Sequence, residues 1–168
     1  MKSRILAAVV VAMIGTLALT GCGQKKEASM PYDLSTTSNT KFLADNKAKD
    51  GVKTTADGLQ YRIIKSGSGK RVTSGADKVT VTYKGWTIDG HVFDQTQPGA
   101  TATFPAGGLI PGWVEALRMM KEGDEWELVI PSSLGYGESG AGADIGPNQT
   151  LVFDMTLVSV APDAPPQP

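Results

Sequence analysis

The chain has 168 residues, of which 20 are glycine, 10 are proline, one is cysteine and one is histidine. Sixteen basic and seventeen acidic residues leave a net charge of −1, and 40% of the residues are hydrophobic. These numbers exclude a disordered chain, a disulfide framework, an ordinary zinc or histidine-based metal site and a basic surface for nucleic acid. They also disfavour nucleophilic hydrolysis, because a Ser or Cys triad would depend on His91 alone.

Residues 1–21 have the pattern of a secretory signal peptide. Two cations precede an apolar run, residues 5–19, that is short for a membrane-spanning helix. The run ends in Leu19-Thr20-Gly21-Cys22, which resembles the lipobox of bacterial lipoproteins. The resemblance implies cleavage before Cys22 and attachment of lipid to its thiol. Two alternatives stay open, an uncleaved signal anchor and an ordinary signal peptide with an incidental cysteine.

The segment that follows is predicted to connect a lipid anchor to a folded domain. Two or three acyl chains would give stable membrane attachment. Gly23 stands where an aspartate favours inner-membrane retention in enterobacteria-like lipoproteins, so we expect an envelope protein that is lipid-anchored in the outer membrane. Residues 23–38 are polar and small, which predicts a flexible tether. Residues 22–50 therefore comprise the lipidated cysteine, the tether and one short helix.

That short helix is predicted over residues 39–49, with Phe42, Leu43 and Ala48 on its apolar face. From Leu59 onward the hydrophobic pattern changes to a period of two, which is typical of half-buried strands. Predicted strands begin at Leu59 and lie near residues 79–83, 92–93, 102–104, 126–130 and 150–160.

A second helix is predicted from Trp113 to Met120, because Trp113, Leu117 and Met120 form one apolar stripe. Strands joined by turns and loops, with one helix among them, exclude repeated βαβ units. We therefore predict an α+β fold in which an antiparallel β-sheet wraps around one short α-helix. This domain spans residues 51–160, and residues 161–168 form a proline-rich tail that cannot pair as a central strand.

Two apparent nucleotide-binding motifs are rejected on their surroundings. Residues 135–140 match G-x-G-x-x-G, but the glycine-rich residues after them are unsuited to the helix that a dinucleotide site needs. Gly69-Lys70 resembles the end of a phosphate loop, but Arg71 stands where Ser or Thr is required. His91 lies beside a turn and is predicted to be a solvated loop residue.

Five sequence blocks resemble the FKBP-type peptidyl-prolyl isomerases, the immunophilins that bind tacrolimus. They occur in the family's order and at its spacing, and the resemblance covers about residues 51–160, including the entry strand of the secreted branch with the macrophage infectivity potentiators. The blocks are Val81-Thr82-Tyr83-Lys84-Gly85, Asp89-Gly90-His91-Val92-Phe93-Asp94, Leu109-Ile110-Pro111-Gly112-Trp113, Leu134-Gly135-Tyr136-Gly137 and Thr150-Leu151-Val152-Phe153-Asp154.

The resemblance implies a pocket of aromatic and aliphatic side chains with Trp113 as its floor. The Ile110 N–H and the Tyr136 hydroxyl would bind substrate carbonyls, and Asp94 would have a polar role at the rim with Tyr83 as its partner. The implied catalytic residues are Tyr83, Phe93, Asp94, Ile110, Trp113, Tyr136 and Phe153. The implied substrate-binding residues are Leu109, Ile145 and Ala102, the last of which replaces an aromatic found in many family members.

This resemblance implies a prolyl isomerase that accelerates rotation of X-Pro bonds in exported proteins and is inhibited by tacrolimus-type macrolides. The alternative is a catalytically weak chaperone or peptide-binding module with the same fold, which the substitution at Ala102 and the altered loop after Tyr136 motivate. A host-directed surface factor is a third hypothesis. No cofactor, metal or nucleic acid is expected. We expect a monomer, because about thirty residues between Cys22 and Lys53 leave no room for a long dimerising helix.

Overall fold

The computed structural model describes residues 31–163. The predicted signal peptide and Cys22 lie outside the described residues, as do the last five residues of the proline-rich tail. Two α-helices and seven β-strands occur in the described part of the chain. They are α1 Thr36–Lys47, β1 Val52–Thr54, β2 Gln60–Lys65, β3 Lys78–Thr87, β4 Val92–Gln95, β5 Ala102–Pro105, α2 Pro111–Met119, β6 Glu125–Ile130 and β7 Leu151–Ala161.

The strands form one antiparallel sheet in the order β1-β2-β6-β7-β3-β4, with β5 also paired to β3. The long central strand β3 thus pairs with β7 on one side and with β4 and β5 in succession on the other. Short connections join the pairs β1-β2 and β3-β4, and the second contains the Asp89-Gly90 turn that the sequence indicated. The predicted α+β class is confirmed.

Helix α2 packs against the inner face of this sheet and provides the centre of the core. Trp113, Leu117 and Met120 are all buried, as their helical spacing predicted. The helix begins two residues earlier than expected because Pro111 occupies its first position, where a missing N–H costs no hydrogen bond. It therefore places its first turn, with Trp113, beside the open end of the sheet.

Helix α1 covers part of the outer face of the sheet and differs from its prediction. It begins three residues earlier, at Thr36, because the Ser35 hydroxyl caps it by accepting a hydrogen bond from Ser38 N–H at 3.2 Å. Ala48, expected on the apolar face, is exposed. Phe42 is buried, as expected, and the other buried positions are Asn46, which bonds to Gln60 of β2, and Asn39, which bonds to Gln149 and Thr150 just before β7.

Residues 31–35, at the end of the predicted tether, are held against α1. The Tyr32 and Phe42 rings pack edge to face with their centroids 5.0 Å apart, and the Tyr32 hydroxyl donates to Asp45 Oδ2 at 2.5 Å. Among residues 31–163, no helix is long and apolar enough to cross a membrane.

Candidate functional site

A cavity of about 400 Å³ opens between α2, the middle of the sheet and the loop after β6. Eight of the ten residues implied by the resemblance line it together. The lining residues are Tyr83, Phe93, Asp94, Phe104, Gly108, Leu109, Ile110, Trp113, Tyr136 and Phe153. The cavity volume falls within the range of small-molecule and peptide pockets.

Trp113 lies at the centre of the aromatic cluster that forms the cavity wall. The centroid of its ring lies 5.1 Å from that of Tyr83, 5.2 Å from that of Phe153 and 6.3 Å from that of Phe104. Each of these rings is nearly perpendicular to the Trp113 ring. Phe93 meets Phe153 edge to face at 5.5 Å. Edge-to-face contacts place the positive edge of one ring on the negative face of another, so each ring fixes the orientation of its neighbours.

The aromatic rings converge because three neighbouring strands each contribute one of them. Tyr83 lies in β3, Phe93 in β4 and Phe153 in β7. Gly85 is buried between these strands, paired with Asp94 on one side and Phe153 on the other. A Cβ atom built on Gly85 would lie 2.6 Å from Phe153 Cε1 and 2.8 Å from Phe93 Cε2, so glycine here permits the close approach of both rings.

Tyr83 and Asp94 form the polar edge of the cavity. The Tyr83 hydroxyl donates to Asp94 Oδ2 at 2.6 Å. Burial, and then this hydrogen bond, raise the pKa of the Tyr83 phenol well above its ordinary value, so the hydroxyl remains a donor at every physiological pH. Within the described part of the chain, Asp94 is the only cavity-lining residue with a formal charge.

Ile110 supplies a backbone donor where α2 begins. It is the N-cap residue of the helix, and its carbonyl accepts from Trp113 N–H at 2.9 Å. The Ile110 N–H itself has no hydrogen-bond acceptor among residues 31–163. The N-terminal N–H groups of a helix are intrinsically unsatisfied, so a bound carbonyl could accept from this one. On the opposite wall, Tyr136 lies between two short 3₁₀ turns with 40% of its surface exposed.

Two expected substrate-binding residues do not line the cavity. Ala102 of β5 pairs with Val81 of β3 and is partly buried outside the cavity. Ile145 is 6% exposed and packs into the hydrophobic core. Its backbone exchanges hydrogen bonds with Ala141 at 2.8 and 3.2 Å.

The sequence interpretation omitted two residues that do line the cavity, Phe104 and Gly108. Phe104 lies on the same face of β5 as Ala102, and strand alternation indicates only that the two residues share a face. Gly108 has no side chain to produce a pattern. His91 is exposed, as predicted, with its Nε2 atom 3.2 Å from Asp144 Oδ1 in the loop beyond Tyr136.

Comparisons with known proteins agree with this geometry. Residues 69–158 match the family described as FKBP-type peptidyl-prolyl cis-trans isomerase. Residues 13–63 match the domain amino-terminal to such isomerases, a segment that includes most of the predicted tether and α1.

Relatives of this chain occur in several bacteria. The chain is 55% identical over 127 residues to the "Probable FKBP-type peptidyl-prolyl cis-trans isomerase FkpA" of Neisseria meningitidis, covering 74% of this chain and 46% of the relative. It is 48% identical to the "Outer membrane protein MIP" of Legionella longbeachae, covering 71% and 51% respectively. The chain thus spans about half the length of these relatives.

Solved structures share the fold. The crystal structure of FkpA from Escherichia coli superimposes with a TM-score of 0.71 at 39% identity, covering 75% of this chain and 59% of that one. A peptidyl-prolyl cis-trans isomerase from Pseudomonas syringae gives a TM-score of 0.70 at 38% identity, covering 75% and 92%. The matched residues include the whole aromatic cavity, and the chain belongs to the FKBP-type peptidyl-prolyl cis-trans isomerase family.

Proposed function

We propose that this chain is a peptidyl-prolyl cis-trans isomerase that accelerates rotation of X-Pro bonds in exported proteins. The observation that carries the proposal is the aromatic cavity, with Trp113 at its centre and the Ile110 N–H without an internal acceptor. The roles proposed for the cavity residues follow the family resemblance. The relatives' names, which describe FKBP-type isomerases, also support it.

The chemistry of the reaction suits such a cavity. Resonance in the amide bond produces a rotation barrier of about 18–20 kcal/mol, although an X-Pro bond populates both isomers. In the twisted transition state the resonance is lost, so the carbonyl carries less negative charge than in the planar amide. An apolar cavity stabilises this less polar state relative to water, which lowers the barrier without a nucleophile or a metal.

Polar groups at the cavity edge would hold the peptide in the reactive geometry. The Ile110 N–H would donate to one substrate carbonyl and the Tyr136 hydroxyl to another, and the cavity-lining Leu109 and Phe153 would contact the proline ring. These donors restrict the peptide to a turn in which rotation needs less reorganisation. Asp94 would position Tyr83 and take no proton from the substrate.

Isomerisation of a short X-Pro peptide by the full chain in detergent tests this proposal. We expect a fast rate that tacrolimus abolishes and that Trp113→Leu lowers at least tenfold. Trp86→Leu is the matched control, because Trp86 packs on the outer face of the sheet and should leave the rate unchanged. Tyr136→Phe provides a second cavity variant at an exposed position, where folding is not at risk.

The same assay separates catalysis from binding alone. If the folded chain does not accelerate isomerisation but still binds tacrolimus, the catalytic proposal fails and the peptide-binding alternative replaces it. Equal losses in Trp113→Leu and Trp86→Leu, with the fold retained in both, would show that the cavity is not the site. Suppression of client aggregation by an inactive chain would support the chaperone alternative.

We further propose that Cys22 carries the lipid that anchors the isomerase to the bacterial envelope, in the outer membrane. The lipobox-like Leu19-Thr20-Gly21-Cys22 supports this, and the name of the Legionella relative contains the words outer membrane protein. Metabolic labelling with an alkyne fatty acid should modify the wild-type chain and not Cys22→Ser, and fractionation should move that variant out of the membrane. Labelling that persists in Cys22→Ser would refute the assignment.

A further inference from the structure

Three segments of the chain border the open side of the cavity, which we call its mouth. They are residues 88–97 with β4, residues 105–115 leading into α2, and residues 131–150 joining β6 to β7, and each contributes residues to the lining. These segments contain two, one and two carboxylates, a single histidine, and no lysine or arginine. The carboxylates are those of Asp89, Asp94, Glu115, Glu138 and Asp144. The mouth is therefore built from segments whose formal charges are all negative.

The carboxylates lie on both sides of the mouth. On the side of β4, Asp94 is exposed and lines the cavity, and its Oδ2 atom accepts from a neutral phenol hydroxyl at 2.6 Å, which leaves its charge in place. On the opposite side, Glu138 is exposed two residues after Tyr136, which lines the cavity. Asp144 is exposed in the same loop, and its Oδ1 atom lies 3.2 Å from His91 Nε2. A peptide bound at the mouth therefore lies between carboxylates.

The lysine and arginine residues nearest to these segments in the chain point elsewhere. Lys84 follows the cavity residue Tyr83, but its Nζ atom lies 5.8 Å from the centroid of the Trp86 ring, which packs on the outer face of the sheet. Arg118 is exposed in the last turn of α2, whereas the cavity lies beside the first turn. In the described part of the chain, none of the five carboxylates forms an ion pair with lysine or arginine.

The apolar walls of the cavity strengthen the effect of these charges. A cleft with charges of one sign and walls of low dielectric constant concentrates the electric field at its opening. The ligand itself is held by the cavity, where the Trp113 indole N–H is buried without an acceptor among residues 31–163. In an extended peptide, residues one or two positions from a bound proline lie within about 7 Å of it, less than the screening length of about 10 Å at 0.1 M salt. Their side-chain charges therefore experience the field at the mouth.

We propose that the mouth favours client segments with lysine or arginine within about two residues of the proline, and disfavours segments with aspartate or glutamate there. This inference rests on the proposed isomerase function, because it assigns a substrate class to the same cavity. Attraction to the mouth raises the encounter rate and the affinity of cationic segments, whereas anionic segments are repelled. Since most of the carboxylates are exposed, the preference should decrease steeply as salt is added.

The experiment measures kcat/KM of the full chain in detergent for peptides that are blocked at both ends and differ in one side chain. They are Ala-Leu-Pro-Phe-Lys, Ala-Leu-Pro-Phe-Glu and the neutral Ala-Leu-Pro-Phe-Gln, followed by NMR exchange spectroscopy. We expect the lysine peptide to exceed the glutamate peptide about three- to tenfold at about 0.1 M salt. The ratio should fall below about 1.5 near 1 M salt, where the screening length is about 3 Å.

Two glutamate variants test whether the preference arises at the mouth. Glu138→Gln should lower the lysine-to-glutamate ratio about twofold and leave kcat/KM for the neutral peptide unchanged, because one of several carboxylates is lost. The matched control is Glu125→Gln, because Glu125 begins β6 and lies about 17 Å along the strand from Ile130, where the loop to the mouth begins. A ratio near one at low salt, or a ratio that both variants change equally, would overturn the proposal.

A binding measurement separates this proposal from the proposed function. If all three peptides are accelerated equally, the isomerase proposal stands and the charge preference fails. If none is accelerated, the isomerase proposal fails, and the preference is judged by titration of the same peptides against the Trp113 indole resonance. Severalfold tighter binding of the lysine peptide than of the glutamate peptide then supports the charge preference. Equal affinities, or no binding of either peptide, refute it.

Discussion

Gly85→Ala tests whether the cavity depends on the close packing of two aromatic rings behind it. The added Cβ would lie 2.6 Å from Phe153 Cε1 and 2.8 Å from Phe93 Cε2 and Cζ. Carbon atoms in contact normally lie about 3.5 Å apart or more, so the rings must move by about 0.7–0.9 Å. Phe153 cannot move freely, because Trp113 packs against it at 5.2 Å and Phe93 at 5.5 Å.

Overpacking of this kind costs about 1–3 kcal/mol of folding free energy. For a domain of this size, each kcal/mol lowers the melting temperature by about 4 °C, so calorimetry should show a decrease of about 4–12 °C. Displacement of binding groups by nearly 1 Å lowers catalytic rates strongly, and we expect kcat/KM on an X-Pro peptide to fall at least tenfold.

Gly146→Ala is the control, because a Cβ there meets no atom within 4 Å and its backbone is not in the left-handed region. Phe93→Leu in the Gly85→Ala background removes the Phe93 ring atoms that lie 2.8 Å from the added Cβ, leaves the Phe153 contact, and should recover part of the lost stability. The reasoning is refuted if Gly85→Ala has the melting temperature and the kcat/KM of the wild-type chain, or if adding Phe93→Leu destabilises Gly85→Ala further.

Three further substitutions test other parts of the fold. Tyr83→Phe keeps the ring but removes the hydrogen bond to Asp94, and we expect a loss of about 1–2 kcal/mol in urea unfolding and a severalfold lower kcat/KM. Asn39→Ala leaves the buried Thr150 N–H without its acceptor at 2.7 Å, which should cost about 1–3 kcal/mol in the same measurement without changing the cavity. Asp154→Asn should raise the melting temperature at pH 7 by no more than about 2 °C, because solvent screens this exposed carboxylate.

The stability difference between Asp154→Asn and the wild-type chain should depend on pH. Burial, followed by repulsion from Glu127 and Glu125, raises the pKa of Asp154 in the folded state. The charged form therefore destabilises the fold above this pKa, and the penalty disappears as the pH falls and the carboxyl is protonated. The melting-temperature difference between Asp154→Asn and wild type should shrink from pH 7 to pH 3, and a constant difference would contradict the assignment.

Controls exist for the other two substitutions as well. Thr40→Ala removes an exposed hydroxyl of α1 that bonds only within the helix, and it should leave stability nearly unchanged, unlike Asn39→Ala. A double-mutant cycle of Tyr83→Phe and Asp94→Asn should show strong coupling. Additive effects would mean that the 2.6 Å contact contributes little.

The cavity could be predicted from the sequence to the extent that its residues lie in regular strands and in one amphipathic helix. Helical spacing predicted that Trp113 is buried, and the family resemblance implied that it lies in the cavity. Ala102 and Phe104 share one face of β5, but periodicity cannot tell which of two such residues borders an empty space. Ile145 packs into the core, and because its loop has no hydrophobic period this position arises from tertiary packing.

Helix α1 shows where hydrophobic pattern alone fails. Its position depends on Asn46, which bonds to Gln60 of β2 at 2.9 Å, and on Asn39, which bonds to Gln149 just before β7 at 3.2 Å. Buried amides on both elements satisfy one another, so burial costs little. A sequence pattern counts asparagine as polar and exposed, and for that reason Ala48 was expected on the buried face and these residues were not.

The sequence by itself determined the antiparallel α+β class and the helix that carries Trp113, because local periodicity and turn chemistry depend on neighbours within a few residues. Most of the aromatic residues around the cavity were implied by the family resemblance, and periodicity did not identify them. Only the tertiary structure decided which side chains border the cavity and that Gly85 must lack a side chain. These features depend on residues far apart in the chain meeting across strands, where a difference of less than 1 Å determines contact or clash.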